Sequence, residues 1–462
     1  MDVALRFLGA ARHVTGTKHL IEFGDKRILL DCGMVQGPRK MSNAANLDLG
    51  LDARSIDAVV LSHAHIDHSG SLPRLVKLGF EGTIHATEAT VDLASVLLAD
   101  SAHLQNQDAK HLAKRGIVFE PPYDEHDVAR TIRRFQRHAY HETFEVLPGV
   151  QCEYYDAGHI IGAAMVVLTL ESGGRKIRLA FTGDHGRKGT PILRDPERLP
   201  EVDYLITEST YGDRLHEDGE EMATALARIV NDEIQDGGRI LIPAFSVGRT
   251  QNVLYTLGNL MESGRIPRQR VWIDSPLSSK ATKITAAYRE LFDKDARRVI
   301  ESGRDPFFFE GVRFIESSEE SKALNSVREG IIIAASGMCE AGRILHHLKV
   351  SLPRPQDCLL TVGFMAEGTL GRRLLDGNPQ VNIYGESHRV RCKVQSMQGM
   401  SAHADYRELT ASLRHLAPVA RRVFVVHGEE KQALTFVDRL QGIGFRDVIA
   451  PEHRQREELH LL

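Results

Sequence analysis

The sequence predicts an α/β protein in which one sheet-containing domain is inserted into another. Three observations predict it. The chain has 462 residues, too many for one core, so roughly two or three domains are expected. From about residue 204, apolar strand-like runs alternate with helical stretches, the pattern of a mostly parallel sheet with helices packed on it. No linker, repeat or low-complexity tract separates the parts, which points to an insertion rather than to domains strung in series.

Taken in order, Leu5–Leu8, Thr17–Phe23 and Arg27–Asp31 read as strands, the last two joined by a Gly24-Asp25-Lys26 turn. Within Ile56–Ser62, the run Ala58-Val59-Val60-Leu61 suits a buried strand. Leu72–Leu78 follows as a helix. Residues 88–147 are rich in Ala, His, Gln, Glu and Arg and are expected to be mostly helix, broken at Pro121-Pro122. Strands return at Met165–Leu170 and Ile177–Phe181, joined by Ser172-Gly173-Gly174. Tyr204–Thr207 then leads to a helix from about Glu220 to Ile234, and Arg239–Pro243 to one from about Val247 to Met261. Val271–Asp274 and Ile331–Ala335 are further buried strands.

Composition narrows the class without naming a function. Apolar content of 42% and charged content of 26% are those of an ordinary globular protein. No stretch approaches the ~20 apolar residues of a membrane span, so no membrane association is expected. The N-terminus runs into a strand without a basic and apolar leader, so no secretory signal is expected. Five scattered cysteines argue against a disulfide framework and for a reducing, cytoplasmic setting. The net charge of −4 requires any nucleic-acid footprint to be local.

The chemistry sits in spacing. His63-Ala64-His65-Ile66-Asp67-His68 follows a buried strand directly. Residues two apart on extended chain point the same way, so His63 and His65 can meet one metal. Asp67 and His68 follow in the turn, where they can face a second. Imidazole and carboxylate suit zinc at a site with a position open to water. A lone histidine is ordinarily a surface or core residue, but four potential ligands in six residues at a strand end are not explained that way. His159 follows Tyr154-Tyr155-Asp156-Ala157-Gly158. Asp184 ends the strand 177–181 through Thr182-Gly183, where a carboxylate can bridge two cations. Asp31, at the end of its strand, is expected to fix a histidine tautomer rather than to ligate.

Asp31, the His63–His68 run, His159 and Asp184, in that order, resemble the successive motifs of the metallo-β-lactamase superfamily. Three later segments resemble those that mark its β-CASP nucleases: Glu208 in Ile206-Thr207-Glu208-Ser209-Thr210-Tyr211, His403 in Met400-Ser401-Ala402-His403-Ala404-Asp405, and His427 in Val425-Val426-His427-Gly428-Glu429. The likeness covers nearly the whole chain and extends to the family of the mRNA 3′-end endonuclease subunit and its prokaryotic relatives. It implies an αββα sandwich from residues 1–207 and 391–462, with a β-CASP α/β domain, 208–390, inserted between them. The active site is then expected in the cleft between the two. The resemblance further implies two zinc ions, one held by His63, His65 and His159, the other by Asp67, His68 and His427, with Asp184 bridging. Water activated between the metals would attack phosphorus, with His403 as general acid and Glu208 orienting it; Asp67 and Asp184 serve both ligation and catalysis.

A histidine at the position of His427 is typical of members acting on RNA, which makes single-stranded RNA the expected substrate and endonucleolytic hydrolysis the expected reaction. A 5′-to-3′ exoribonuclease, a DNA nuclease and a non-catalytic scaffold subunit are the alternatives. Candidate phosphate contacts are Arg249, after the Gly248 turn, with Arg343, Ser336 and Gly337. Arg343 has an equal standing as a solvated helix residue. His185 and the His346-His347 pair receive no role, and assembly is left open, a homodimer included.

Overall fold

The computed structural model describes residues 3–37, 39–114, 116–216, 222–363, 365–397 and 401–461. The chain divides into two compact units, one formed by residues 1–190, 194–215 and 403–462, the other by 191–193 and 216–402. The divisions fall a little later than the 207/208 and 390/391 boundaries expected from sequence.

The first unit holds two seven-stranded sheets. One runs in the order Arg456–Leu459, Val3–Gly9, Lys18–Phe23, Lys26–Leu30, Ala58–Val60, Thr83–Thr87, Phe135–His138. The other runs Val448–Ile449, Arg422–Val425, Tyr204–Thr207, Arg175–Phe181, Ala164–Ser172, Val150–Asp156, Phe144–Leu147. Alternate residues of each sheet point inward and meet in one core, in which Leu5, Phe7, Ile21 and Val60 join Tyr154, Val166, Phe181 and Phe424. On the outer face of the first sheet, Leu29, Val59 and Leu61 pack with Leu72, Leu75 and Val76 of the helix Leu72–Lys77. Helix Glu430–Gly442 packs on the second sheet. This is an αββα sandwich.

The second unit is an α/β domain on a six-stranded, all-parallel sheet, ordered Val312–Phe314, Val271–Asp274, Gly330–Ala334, Arg239–Pro243, Cys358–Thr361, Lys393–Ser396. Its central strands are buried at every residue, as expected where helices cover both faces. A separate hairpin pairs Gln380–Ile383 with Glu386–Arg389. The expected helix start at Glu220 lies outside the described residues, and the described helix is Met222–Ile234.

Residues 88–147 are mostly helix, as expected, in Glu88–Ala113 and Glu125–Ile132 on either side of Pro121-Pro122, but the strands Phe135–His138 and Phe144–Leu147 were not expected there. Each lies at the edge of a sheet. Phe135–His138 buries only His138, so no apolar alternation marks it. No described helix is long and apolar enough to cross a membrane.

Candidate metal centre

Every residue of the centre lies in the first unit, at the C-terminal ends of strands. Strands Arg175–Phe181, Tyr204–Thr207 and Arg422–Val425 are parallel neighbours, so the residues just past them, Asp184, Glu208 and His427, are delivered to one edge of the sheet. Gly183 makes the first of these exits possible with φ +53°, and a Cβ there would lie 2.9 Å from that of Ser62. His427 itself takes φ +48° and Asp31 φ +56°, a left-handed backbone that costs energy in non-glycine residues and clusters at functional sites. The His427 N–H donates to the Ala10 carbonyl at 2.8 Å, holding that turn. His63 and His65 follow strand Ala58–Val60, and Asp67 and His68 fall in the single helical turn Ile66–Ser69. His159 follows strand Val150–Asp156, where Asp156 accepts the Gly158 N–H at 2.9 Å.

The donor atoms fall into two sets. His63 Nε2 lies 3.1 Å from His65 Nδ1, and His65 Nδ1 lies 3.2 Å from His159 Nε2. Asp184 Oδ2 stands 3.4 Å from His63 Nε2 and 3.5 Å from His159 Nε2. In the second set, His68 Nε2 is 3.2 Å from His427 Nε2, and Asp67 Oδ2 is 3.5 Å from His427 Nε2. Asp184 Oδ1 is 3.1 Å from His68 Nε2. Thus the two oxygens of Asp184 face different sets.

These spacings test the fit to metal. Nitrogen and oxygen donors about 2.0–2.1 Å from a tetrahedral zinc stand about 3.3 Å apart, and each set repeats that edge length. Asp184 Oδ1, a carboxylate oxygen, is buried without a hydrogen-bond partner. Burial pushes the His63 imidazole down to about 3, leaving its ring nitrogen a lone pair rather than a proton. The same burial holds His159 well below the usual range. Buried acceptors that face one another at this distance call for a cation among them.

The surrounding bonds orient the rings. Asp31 Oδ2 accepts from His68 Nδ1 at 2.7 Å and from Ser62 Oγ at 2.7 Å, while its Oδ1 accepts the Ser62 N–H at 2.7 Å. His68 is therefore the tautomer that presents Nε2 to the centre, the role expected of Asp31. Thr210 Oγ stands 3.1 Å from His427 Nδ1 and donates to the His427 carbonyl at 3.1 Å, so it accepts from the ring. Ser62 and Thr210 carry these roles unforeseen; the only signal was their place inside the motifs.

Beside the donors stands a second device. His403 Nδ1 lies 3.1 and 3.2 Å from the two oxygens of Glu208. Glu208 is fully buried and is held by the N–H of His185 at 2.6 Å and that of Thr210 at 3.3 Å. The other ring nitrogen, His403 Nε2, faces Asp184 Oδ2 at 3.9 Å. Burial alone would lower the His403 pKa, but the Glu208 and Asp184 carboxylates outweigh it and hold it up at about 9. Met400, at the start of that motif, lies outside the described residues.

The four phosphate candidates lie in the second unit. Arg249 opens helix Arg249–Glu262 after Gly248, whose φ is +76°. Ser336 Oγ accepts the N–H groups of Glu340 and Ala341 at 3.1 and 3.3 Å. A Cβ on Gly337 would lie 2.9 Å from the Phe245 ring. Arg343 is committed within its unit, donating to Asp274 Oδ1 at 2.7 Å and to the carbonyls of Ile315 and Glu316 at 3.2 and 2.8 Å. His347, from the unassigned pair, donates to Asp274 Oδ2 at 2.6 Å.

Residues 19–215 match the metallo-β-lactamase superfamily, 250–374 the Beta-Casp domain, and 387–451 the Zn-dependent metallo-hydrolase RNA specificity domain. Ribonuclease TTHA0252 of Thermus thermophilus is 35% identical over 92% of this chain and 93% of its own length. Transcription termination factor FttA of Methanosarcina mazei is 31% identical over 93% of this chain and 67% of its own. FttA of Pyrococcus abyssi is 31% identical over 95% and 69%. A crystal structure of a protein of unknown function from Enterococcus faecalis covers 99% of this chain and 100% of its own with a TM-score of 0.54 at 13% identity, a likeness of fold alone. With its three domains matched in order and a relative alike over almost its whole length, the chain belongs to the metallo-β-lactamase superfamily, in its β-CASP branch.

Proposed function

We propose that the protein is a zinc-dependent ribonuclease that hydrolyses phosphodiester bonds of single-stranded RNA endonucleolytically. The observation that carries this reading is the convergence of two donor sets on the two oxygens of Asp184, with the His403–Glu208 pair beside them. His63, His65 and His159 would hold one ion, and Asp67, His68 and His427 the other, with Asp184 between the two sets. Two zinc ions, when bound, activate water near neutral pH and neutralise charge on the phosphoryl oxygens. His403 enters protonated, donates from Nε2 to the departing 3′-oxygen, and is kept in that orientation by Glu208 through Nδ1. Similarity to a protein named as a ribonuclease supports the substrate class, as does the match to an RNA specificity domain. Arg249, Ser336 and Gly337 remain proposed phosphate contacts, whereas Arg343 is better read as a fastening of its own unit.

The test compares matched, end-labelled single-stranded RNA and DNA oligonucleotides. Internal cuts in RNA, leaving 5′-phosphate and 3′-hydroxyl ends, with DNA cut much more slowly, are the expected result. Equal rates would transfer the enzyme to DNA processing, and release of nucleotides only from the 5′ end would make it an exonuclease.

A further inference from the structure

The first unit contains a cavity of about 420 Å³ that the proposed chemistry leaves unused. One wall is the backbone that follows Asp184. His185 donates its N–H to Glu208, Gly186 pairs with His403, and the Ala404 N–H donates to the His185 carbonyl at 2.8 Å. The cavity is thus lined by the same segment that positions the bridging carboxylate and the general acid. Its mouth carries three exposed cations, Lys188, Arg198 and Arg414. None has a hydrogen-bond or ion-pair partner for its charge among the described residues. The two acids that line the cavity are both engaged. Glu408 accepts the Asp405 N–H at 3.1 Å and Arg187 Nε at 3.3 Å. Glu197 accepts the Asp156 N–H at 2.9 Å and lies 3.1 Å from His141 Nε2. A chain with net charge −4 therefore presents, next to its candidate centre, a concave surface whose uncommitted charges are all positive.

We propose that this cavity is a phosphate subsite that grips the RNA backbone at positions other than the scissile bond, through Lys188, Arg198 and Arg414. The proposal rests on the ribonuclease reading above. Three separate cations at one mouth suit the repeating charges of a strand, and their attraction compensates locally for an acidic protein.

The test is binding of an unstructured, fluorescein-labelled RNA to the full-length protein across a salt series. Wild type is compared with a triple variant, Lys188→Ala, Arg198→Ala and Arg414→Ala, and with a control triple that removes equal charge elsewhere on the unit, Lys110→Ala, Arg175→Ala and Lys176→Ala. All six side chains are exposed, so the variants should fold, which circular dichroism checks. Each single-strand phosphate contact contributes about −0.7 to the log–log salt slope, so the cavity triple should flatten it by about 2 and weaken binding roughly tenfold or more at low salt. The control triple should stay within about twofold of wild type. A cavity triple that binds like wild type, or no worse than the control, overturns the subsite. Wild-type cleavage of the same RNA is scored separately: binding lost in the cavity triple while wild type cuts nothing would keep the subsite and refute the ribonuclease reading.

Discussion

The two units each bury an aspartate at a strand end against histidine, and they use it in opposite ways. In the second unit, Asp274 accepts from Arg343 on one oxygen and from Ser321 and His347, both at 2.6 Å, on the other. Each of its oxygens meets protons, and the cluster is closed. In the first unit, Asp184 meets ring nitrogens at 3.1–3.9 Å, and its Oδ1 finds no hydrogen-bond partner. Asp31 and Thr210 engage Nδ1 of His68 and of His427, which leaves the Nε2 atom of each ring facing the other. The difference teaches what separates a metal centre from a polar knot: the count of histidines and acids matters less than whether the inward-facing atoms are acceptors left without donors.

The strongest way to break that comparison is to remove the carboxylate that joins the sets. Purified wild type should carry about two zinc ions per chain, and Asp184→Ala should lose zinc and cleavage together. The rate should fall by more than the ~10²–10³-fold that loss of a single stabilising donor costs. Elemental analysis finding no transition metal in active wild-type protein would refute the whole reading of the centre. Chelation should also lower the thermal midpoint, since an ion bound only to the folded state stabilises it.

Next in size is the proposed acid. His403→Ala should cut the rate by ~10²–10⁴-fold while zinc stays in place, because His403 belongs to neither donor set. Glu208→Gln should follow the same pattern more weakly. A rate within a few-fold of wild type for His403→Ala would strip it of its role. Asp31→Asn sharpens the comparison from outside, by giving His68 a partner that no longer demands its proton. A loss of ~10–100-fold in zinc affinity or activity is expected, as for other partners of metal-bound histidine; unchanged zinc titration would show that the tautomer needs no such help.

The ligand-type residues were legible because the chemistry crowds them into short motifs at strand ends, where four of them occupy positions 63–68. Several sandwich strands, Ala58–Val60 and Arg175–Phe181 among them, were legible from their apolar runs, whereas Thr83–Thr87, Phe144–Leu147 and Val150–Asp156 went unread although each buries apolar side chains. Other features stayed hidden for physical reasons. Phe135–His138 turns little apolar surface inward. Ser62 and Thr210 act through single hydroxyls, which no spacing distinguishes from other serines and threonines. His65 presents Nδ1 where His63 and His159 present Nε2, a choice made by packing. Arg343 reads as an available cation only until Asp274, 69 residues away, is brought against it.

The smallest expected effect on the centre comes from breaking the closed cluster, and it is the control that gives the comparison meaning. Asp274→Ala leaves Arg343, His347 and Ser321 without their shared acceptor, so the cost should appear in stability. Losing one partner of a buried pair typically costs ~3–5 kcal/mol, and about 3 kcal/mol is expected here because the Arg343 side chain keeps 21% exposure. Burial acts to raise the Asp274 pKa, but hydrogen bonds from His347, Ser321 and Arg343 outweigh it and hold the carboxyl below its usual range. The sign follows: the contribution is fully present above the unfolded carboxylate value of about 3.9 and is lost as pH falls through the lower folded value. The wild-type advantage in denaturant midpoint should therefore persist at neutral pH and shrink on acidification below that value, while zinc per folded chain stays equal in the two proteins. Loss of zinc from Asp274→Ala under native conditions would mean that the second cluster is not a separate structural knot, and the contrast drawn between the two aspartates would fail.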